Sequence, residues 1–362
     1  MIFMNYMKRA IELAKKGAGF VSPNPMVGAV IVKNGKIIGE GYHKKYGSNH
    51  AEVNAFLSAT EDVSGAEMYV TLEPCSHYGH TPPCAKAIID HNIKKVYIGS
   101  LDANPIVAGN GVKMLQNASI EVETGVMEKE CKAINPIFFK YIQSGLPYVV
   151  MKTAMTLDGK ISAYTGDSKW VSNETSRQIV QKLRHNLKGI MVGINTVTAD
   201  NPSLTCRIEG GVNPVRIIVD SRLRIPLDSN VLKLDNDDRC IIASIKNINI
   251  AKKSQLEAMG AEVIETNSEN NCVNLKELMY ELGKRKIDSI LLEGGGTLNF
   301  SMLNCNLVDK ALIFIAPKII GGANAKTPVE GKGIPLMEEA IKLKNREIKE
   351  VDGDILIYGD LR

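Results

Sequence analysis

His50-Ala51-Glu52, followed downstream by Thr71-Leu72-Glu73-Pro74-Cys75-Ser76-His77-Tyr78-Gly79-His80-Thr81-Pro82-Pro83-Cys84, is the stretch that decides how the rest of the 362-residue chain is read. One imidazole and two thiolates are donors that zinc prefers. Three of them, and not four, leave a tetrahedral position for water, the mark of a catalytic centre rather than a closed structural one. Zinc lowers the pKa of its water from ~15.7 to about 7. Glu52 stands two residues past the histidine, at the start of a predicted helix, placed to take a proton from that water and deliver it to a departing amine.

Each half of the pattern is weak alone. A lone His-x-Glu on a helix is usually an ordinary surface pair, and two cysteines nine apart are usually unrelated buried thiols. Joined in order, with Pro74 directly before Cys75, they form the signature of zinc deaminases, in which the glutamate is a general acid and base and not a ligand. The chain departs from the common form in spacing: eight residues separate its cysteines where two are usual, so the polar insert SHYGHTPP must loop beside the metal.

Working outward, the length suits two domains. Hydrophobic residues make up 44% and charged residues 23%, ordinary for a globular protein. A net charge of +4 is too small to signal a nucleic-acid surface and fits a small anionic substrate. The longest apolar stretch, Ala311 to Ile320, is about half the ~20 residues that span a bilayer, and it contains Lys318. The first residues carry no export signal; Met4, Met7, Ile11 and Ala14 fall at helical spacing. Seven cysteines, an odd number, point to free thiols or thiolate ligands in a reducing cytoplasm.

Residues 1–145 alternate short strands and helices. Two β-rich runs in GAVIVKNGKIIGEGY meet at Asn34-Gly35, a two-residue hairpin signal. Helices are predicted at 51–59, 83–91, 111–117 and 127–143, and strands at 68–72, 95–99 and 120–124, as expected of a sheet covered by helices. Gln143-Ser144-Gly145-Leu146-Pro147 breaks the pattern and places a domain boundary. Residues 146–362 alternate again, with helices at 173–186, 250–259, 274–284 and 297–303, strands at 148–156, 189–194, 215–219, 240–244, 288–292 and 310–315, and a hairpin turning at Asp352-Gly353.

No motif in this second part is self-sufficient. A G-x-G-x-x-G after a strand is absent. Leu291-Leu292-Glu293-Gly294-Gly295-Gly296-Thr297 does run from an apolar strand through three glycines into a helix, where backbone N–H groups and the helix terminus favour an anion.

Through PNPMVGAVIV, HAEVNA, TLEPCSHYGHTPPC and DANPIVAGNG, and then through MKTAMTLDGKISAYTGDSKWVS and RHNLKGIMVGINTVTADNPSLTCR, essentially the whole chain resembles the bifunctional riboflavin-biosynthesis deaminase-reductase family. The resemblance implies an α/β protein: a cytidine-deaminase-like α/β/α sandwich over 1–145 and a dihydrofolate-reductase-like α/β domain over 146–362. It implies a zinc-dependent deaminase of a diaminopyrimidinone carrying a phosphoribosylamino group, and an NADPH-dependent reductase that turns the opened ribose into a ribityl chain. Zinc would be held by His50, Cys75 and Cys84, with Glu52 moving protons. Asn24, His43, His77 and Asn104 would contact ring, ribose or phosphate; at position 80 relatives often carry Lys or Arg, where this chain has His80.

Carried over in the same way, Ala154, Trp170, Thr196, Asp200, Ser221 and Gly294, Gly295 and Gly296 would contact NADPH. Lys152, Ser168, Arg184, Leu204, Arg207 and Glu293 would line the reductase substrate. A guanidinium fork suits a 5′-phosphate better than an ammonium does, and Lys152, projecting from the first strand, is placed to polarise the sugar oxygen. Arg222 and Arg224 are the nearby cations for the cofactor's 2′-phosphate. The partners expected are therefore a phosphorylated aminopyrimidine and further copies of the chain, with no nucleic acid and no membrane. Three rivals stay open: a deaminase of transfer RNA on the same zinc core, which would need a basic, aromatic surface; a catalytically dead binding or scaffold protein that keeps zinc for stability, against which Glu52 argues; and a deaminase whose reductase half is inactive.

Overall fold

Asn34 and Gly35 take φ of 50° and 75°, the left-handed region where these two residue types are least strained. They join β1 (Gly28–Lys33) to β2 (Lys36–Tyr42) as an antiparallel hairpin. The computed structural model describes residues 2–77, 82–104, 108–235 and 238–362, and the chain divides into two compact units, Met1–Gly145 and Leu146–Arg362.

In the first unit the hairpin is flanked by α1 (Ile2–Ala14), α2 (Ala51–Leu57), β3 (Glu67–Leu72), α3 (Cys84–Asp90), β4 (Lys95–Ser100), α4 (Asn110–Asn117), β5 (Glu121–Thr124), α5 (Glu128–Ala133) and α6 (Pro136–Ser144). The strands form one sheet in the order β2-β1-β3-β4-β5. β1 is antiparallel to both neighbours, and β3, β4 and β5 run parallel. Alternate residues of the same strands feed two cores. Ala29, Ile31, Met68, Val70 and Ile98 pack with Ala51, Ala55, Ile88 and Leu115, whereas Val30, Val32, Tyr69 and Tyr97 pack with Met7, Ala10 and Leu13. A strand covered on both faces has no polar side to show, so GAVIV reads as a continuous apolar run.

The single helix predicted over 127–143 is two helices. Pro136 has no N–H to continue α5 and disfavours helical geometry in the residue before it; Asn135 accordingly leaves the helix, at φ −122° and ψ 35°. Its buried amide then bonds both the N–H and the C=O of Met26 at 2.8 Å, which ties down the Pro-Asn-Pro turn ahead of β1.

The second unit comprises β6 (Tyr148–Thr156), α7 (Glu174–Asn186), β7 (Gly189–Gly193), α8 (Ile194–Asp200), β8 (Val215–Val219), β9 (Cys240–Ile245), α9 (Ile250–Ala258), β10 (Glu262–Thr266), β11 (Ser268–Glu269), β12 (Cys272–Val273), α10 (Leu275–Lys284), β13 (Ser289–Leu292), α11 (Gly296–Asn304), β14 (Lys310–Ala316), β15 (Lys344–Val351) and β16 (Asp354–Asp360). A nine-stranded sheet runs β10-β9-β8-β7-β13-β6-β14-β16-β15, and β11 and β12 form a small separate hairpin. Met151, Met191, Ile217, Ile241 and Leu292 pack against Leu275, Leu278 and Leu282. The strand predicted over 189–194 stops at Gly193, because Ile194 opens α8, a helix the residue pattern did not reveal. Among the described residues no helix is long and apolar enough to cross a membrane.

Helix α2 lies directly on β2. A Cβ added at Gly41 would fall 2.2 Å from the Ala51 carbonyl oxygen and 2.3 Å from the Ala55 nitrogen, so only glycine admits this contact. Gly41→Ala is expected to destabilise the chain by about 2 kcal/mol or more, read by denaturant unfolding; an unchanged midpoint would contradict the packing described.

Candidate active sites

The end of β2, the start of α2, the end of β3 and the start of α3 meet at one place in the first unit. His50 is the N-cap of α2, with extended backbone at φ −71° and ψ 167°, and Cys84 is the first residue of α3. His50 Nδ1 lies 3.3 Å from Cys84 Sγ and 3.6 Å from Cys75 Sγ. Among the described residues these three are the group able to hold a metal ion, their donor atoms all within 4.8 Å of one another. Bond lengths of about 2.05 Å for Zn–N and 2.3 Å for Zn–S in a tetrahedron put N and S about 3.5 Å apart. The donor set therefore fits zinc in both chemistry and spacing.

Charge at the cluster is arranged to match. The backbone N–H of Cys84, at the head of α3, donates to Cys75 Sγ at 3.3 Å. A hydrogen bond with Cys84, then His50 and that amide, hold the Cys75 thiol well below its usual range, while the same bond and burial push Cys84 up. Glu52, 3% exposed, has its carboxyl raised to about 7 by burial first and by the Cys75 charge second. A carboxyl poised near neutrality exchanges protons in both directions at neutral pH.

His43 is buried, its Nε2 3.2 Å from Asn24 Nδ2 and its Nδ1 3.1 Å from the Asn49 carbonyl. An amide nitrogen only donates, so Nε2 accepts and the Nδ1–H donates to Asn49. His43 thus fixes which way the Asn24 amide faces, and its ring stands edge-on to His50 at 5.4 Å between centroids. Burial, and then the His50 charge, lower its pKa, against the bond to Asn49. His77 is exposed and Asn104 half-buried; His80 lies outside the described residues.

The second unit holds two adjoining cavities, of about 740 and 290 Å³, that share Ile161, Ser168, Thr196, Asp200 and Gly295 in their walls. Ser221 and Gly296 line the larger; Lys152, Ala154, Trp170, Arg184, Arg207, Glu293 and Gly294 line the smaller. Leu204 is 4% exposed and lines neither. Arg222 and Arg224 also stay outside both linings, though Arg224 Nη2 reaches Asn195 Oδ1, in the wall of the larger cavity, at 3.2 Å. Trp170 is 58% exposed, with the Arg177 guanidinium 4.6 Å from its ring centroid.

At the floor of the smaller cavity Arg184 grips the Glu293 carboxylate, with Nη2 to Oε2 at 2.8 Å. Burial alone would raise Glu293; the Arg184 and Lys152 cations outweigh it and bring its pKa below the usual carboxylate range. Lys152 is driven down by burial and then by Arg184, against the pull of Glu293. Sequence reasoning missed Arg177 and Gln181, which line the same cavity. Their spacing with Arg184, four and then three residues apart on α7, puts them on one helix face and was the available signal. It also missed Asn299, whose Nδ2 braces the glycine loop through the Gly294 carbonyl and whose buried Oδ1 has no hydrogen-bond partner among the described residues. A polar atom left over behind the glycine loop, whose Gly295 borders both cavities, fits a ligand bound at that loop.

Three metal-binding donors beside a buried glutamate among the described residues, and a charged cavity beside a glycine loop, define a zinc deaminase joined to a reductase. The cytidine and deoxycytidylate deaminase zinc-binding region matches residues 3–100, and the RibD C-terminal domain matches residues 147–357. The chain is 49% identical to the riboflavin biosynthesis protein RibD of Actinobacillus pleuropneumoniae, over 99% of this chain and 95% of that one, and 36% identical to that of Escherichia coli K12, over 98% of each. Two solved structures superpose on it: Acinetobacter baumannii RibD, at a TM-score of 0.89 and 37% identity over 99% of this chain and 98% of that one, and the diaminohydroxyphosphoribosylaminopyrimidine deaminase/5-amino-6-(5-phosphoribosylamino)uracil reductase of Thermotoga maritima, at 0.88 and 38% with the same coverage. The chain belongs to the RibD family of bifunctional riboflavin-biosynthesis enzymes, with zinc and NADPH as cofactors.

A depressed Glu293 pKa fixes the sign of one pH effect. The ionised pair stabilises the fold fully above the unfolded carboxylate pKa and loses that contribution as pH falls through the lower folded value. Glu293→Gln, which leaves Arg184 buried without its counter-charge, is expected to destabilise by about 3 kcal/mol at pH 7 and by progressively less in acid. Unfolding curves across pH measure this; a pH-independent difference would contradict it.

Proposed function

We propose that residues 1–145 deaminate 2,5-diamino-6-(5-phosphoribosylamino)pyrimidin-4(3H)-one at the His50, Cys75 and Cys84 centre, and that residues 146–362 reduce the product's ribosyl group to ribityl. The observation that carries this reading is the spacing of the three donor atoms with Glu52 buried beside them. When bound, zinc supplies a Lewis acid that makes water nucleophilic at neutral pH. Glu52 takes the proton of the attacking water and returns it to the leaving amine as ammonia departs. Asn24, set by His43, presents its amide to the substrate, and His77 and Asn104 stand on the side open to ribose and phosphate.

In the second unit NADPH would be held in the larger cavity by Thr196, Asp200, Ser221, Gly295 and Gly296, and would supply the hydride. Ala154, Trp170 and Gly294 would reach it from the wall of the adjoining smaller cavity. The opened sugar lies in the smaller cavity with Ser168 towards it and the 5′-phosphate towards Arg207, whose planar fork suits a phosphate; Leu204, buried and in the wall of neither cavity, makes no contact with it. Arg184 is held by Glu293, which in turn places Lys152 to protonate the ribose ring oxygen as the C1′–O bond opens, leaving a C1′=N imine that takes the hydride at carbon and a proton at nitrogen. Free thiols throughout suit a cytoplasmic enzyme, and the chain assembles with copies of itself.

Glu52→Gln is expected to keep one zinc per chain and to lower ammonia release by about 10²-fold or more; undiminished release would falsify the assigned role. Lys152→Met is expected to slow NADPH oxidation on the deaminated intermediate by a similar factor while ammonia release is unchanged, followed at the nicotinamide absorbance. Equal loss of both activities would count against a Lys152 confined to the reductase.

A further inference from the structure

Glu73 sits at the end of β3, two residues before Cys75, and has no part in the chemistry above. It is 4% exposed, yet no cation pairs with it among the described residues; backbone N–H groups do. Oε2 accepts from Gly109 at 3.0 Å and from Asp102 at 3.3 Å, and Oε1 accepts from Gly111 at 3.0 Å and from Val112 at 3.3 Å. Four donors match the four lone-pair sites of a carboxylate.

Three of those donors belong to the cap and first turn of α4, where Gly109 is the N-cap. These are the N–H groups that a helix leaves unpaired and that favour negative charge. A substrate phosphate would otherwise find an anion site here. Glu73 already fills it from within, so this helix head is closed to the phosphate. The other donor, Asp102, begins a turn on which Asn104 depends: Asp102 Oδ1 accepts from the Asn104 N–H at 2.7 Å, and the Ala108 N–H donates to the Asn104 carbonyl at 2.9 Å. The two segments are also locked sterically, since a Cβ on Gly111 would lie 2.1 Å from the Pro74 carbonyl oxygen.

We infer that Glu73 is a positioning residue of the deaminase: its carboxylate stands in for an anion at the head of α4 and thereby sets where Asn104 stands relative to the segment after β3 that carries Cys75. The inference rests on the deaminase assignment. It links substrate binding to that segment through a group that touches neither substrate nor metal.

The test uses the full-length, zinc-loaded chain and compares Glu73→Gln and Glu73→Asp with the unmodified protein. Glutamine keeps the shape but turns one acceptor into an NH₂ that faces backbone donors. Expected for E73Q are one zinc per chain, a kcat for ammonia release within about threefold of normal and a KM for the aminopyrimidine nucleotide raised at least about tenfold. E73D, which keeps the charge on a shorter arm, should fall between. Reductase kinetics on the deaminated intermediate should not change in either variant. An unchanged KM would overturn the inference. So would failure to fold, loss of zinc, or a kcat that falls as far as KM rises, each of which makes Glu73 a residue of the fold alone. No ammonia release from the unmodified chain would instead sink the deaminase reading, a separate and recognisable failure.

Discussion

One imidazole nitrogen and two sulfurs within 4.8 Å of one another are the constraint on which the first unit is organised. Two of the three donors sit at helix starts, and helix starts are fixed by what the helices pack against. Gly41 lets α2 lie on β2, which sets His50. The head of α3 supplies both Cys84 and the N–H that holds Cys75. Electrostatics follow from this placement: the Cys84 side chain and the N–H at the head of α3 stabilise the Cys75 thiolate, and burial keeps the Glu52 proton available near neutrality.

A different solution holds in the second unit, where buried charge replaces metal. Arg184, Glu293 and Lys152 are mutually dependent. A buried carboxylate next to two cations stays ionised, and a lysine caught between burial and that carboxylate has a pKa below that of a surface lysine. Removing Glu293 leaves both cations desolvated without a counter-charge, the costly arrangement for buried ions. Precise placement at the floor of a cavity is what such a network provides.

Much of this was legible in the residues. His50, Glu52, Cys75 and Cys84 carry chemistry that few other arrangements use, and the hairpins at Asn34-Gly35 and Asp352-Gly353 follow from the φ angles those residues tolerate. Less legible were features that depend on the partner surface. Pro136 is a sequence signal for breaking the 127–143 helix and outweighs the helical periodicity around it. Helix α8 begins without a polar cap on the glycine before it, so nothing local announces it. Glu73 carried no signal in the sequence, because its partners are main-chain groups some 30 to 40 residues away whose identity side chains do not encode. His43 read as a substrate contact, and the folded chain shows both ring nitrogens engaged by Asn24 and Asn49.

X-ray absorption at the zinc edge of the purified full-length chain tests the central geometry most directly. The expected spectrum has one zinc per chain with two sulfur scatterers at about 2.3 Å and two lighter scatterers near 2.0 to 2.1 Å, one from imidazole and one from solvent. A metal-free protein, or a shell closed by four protein donors, would contradict it.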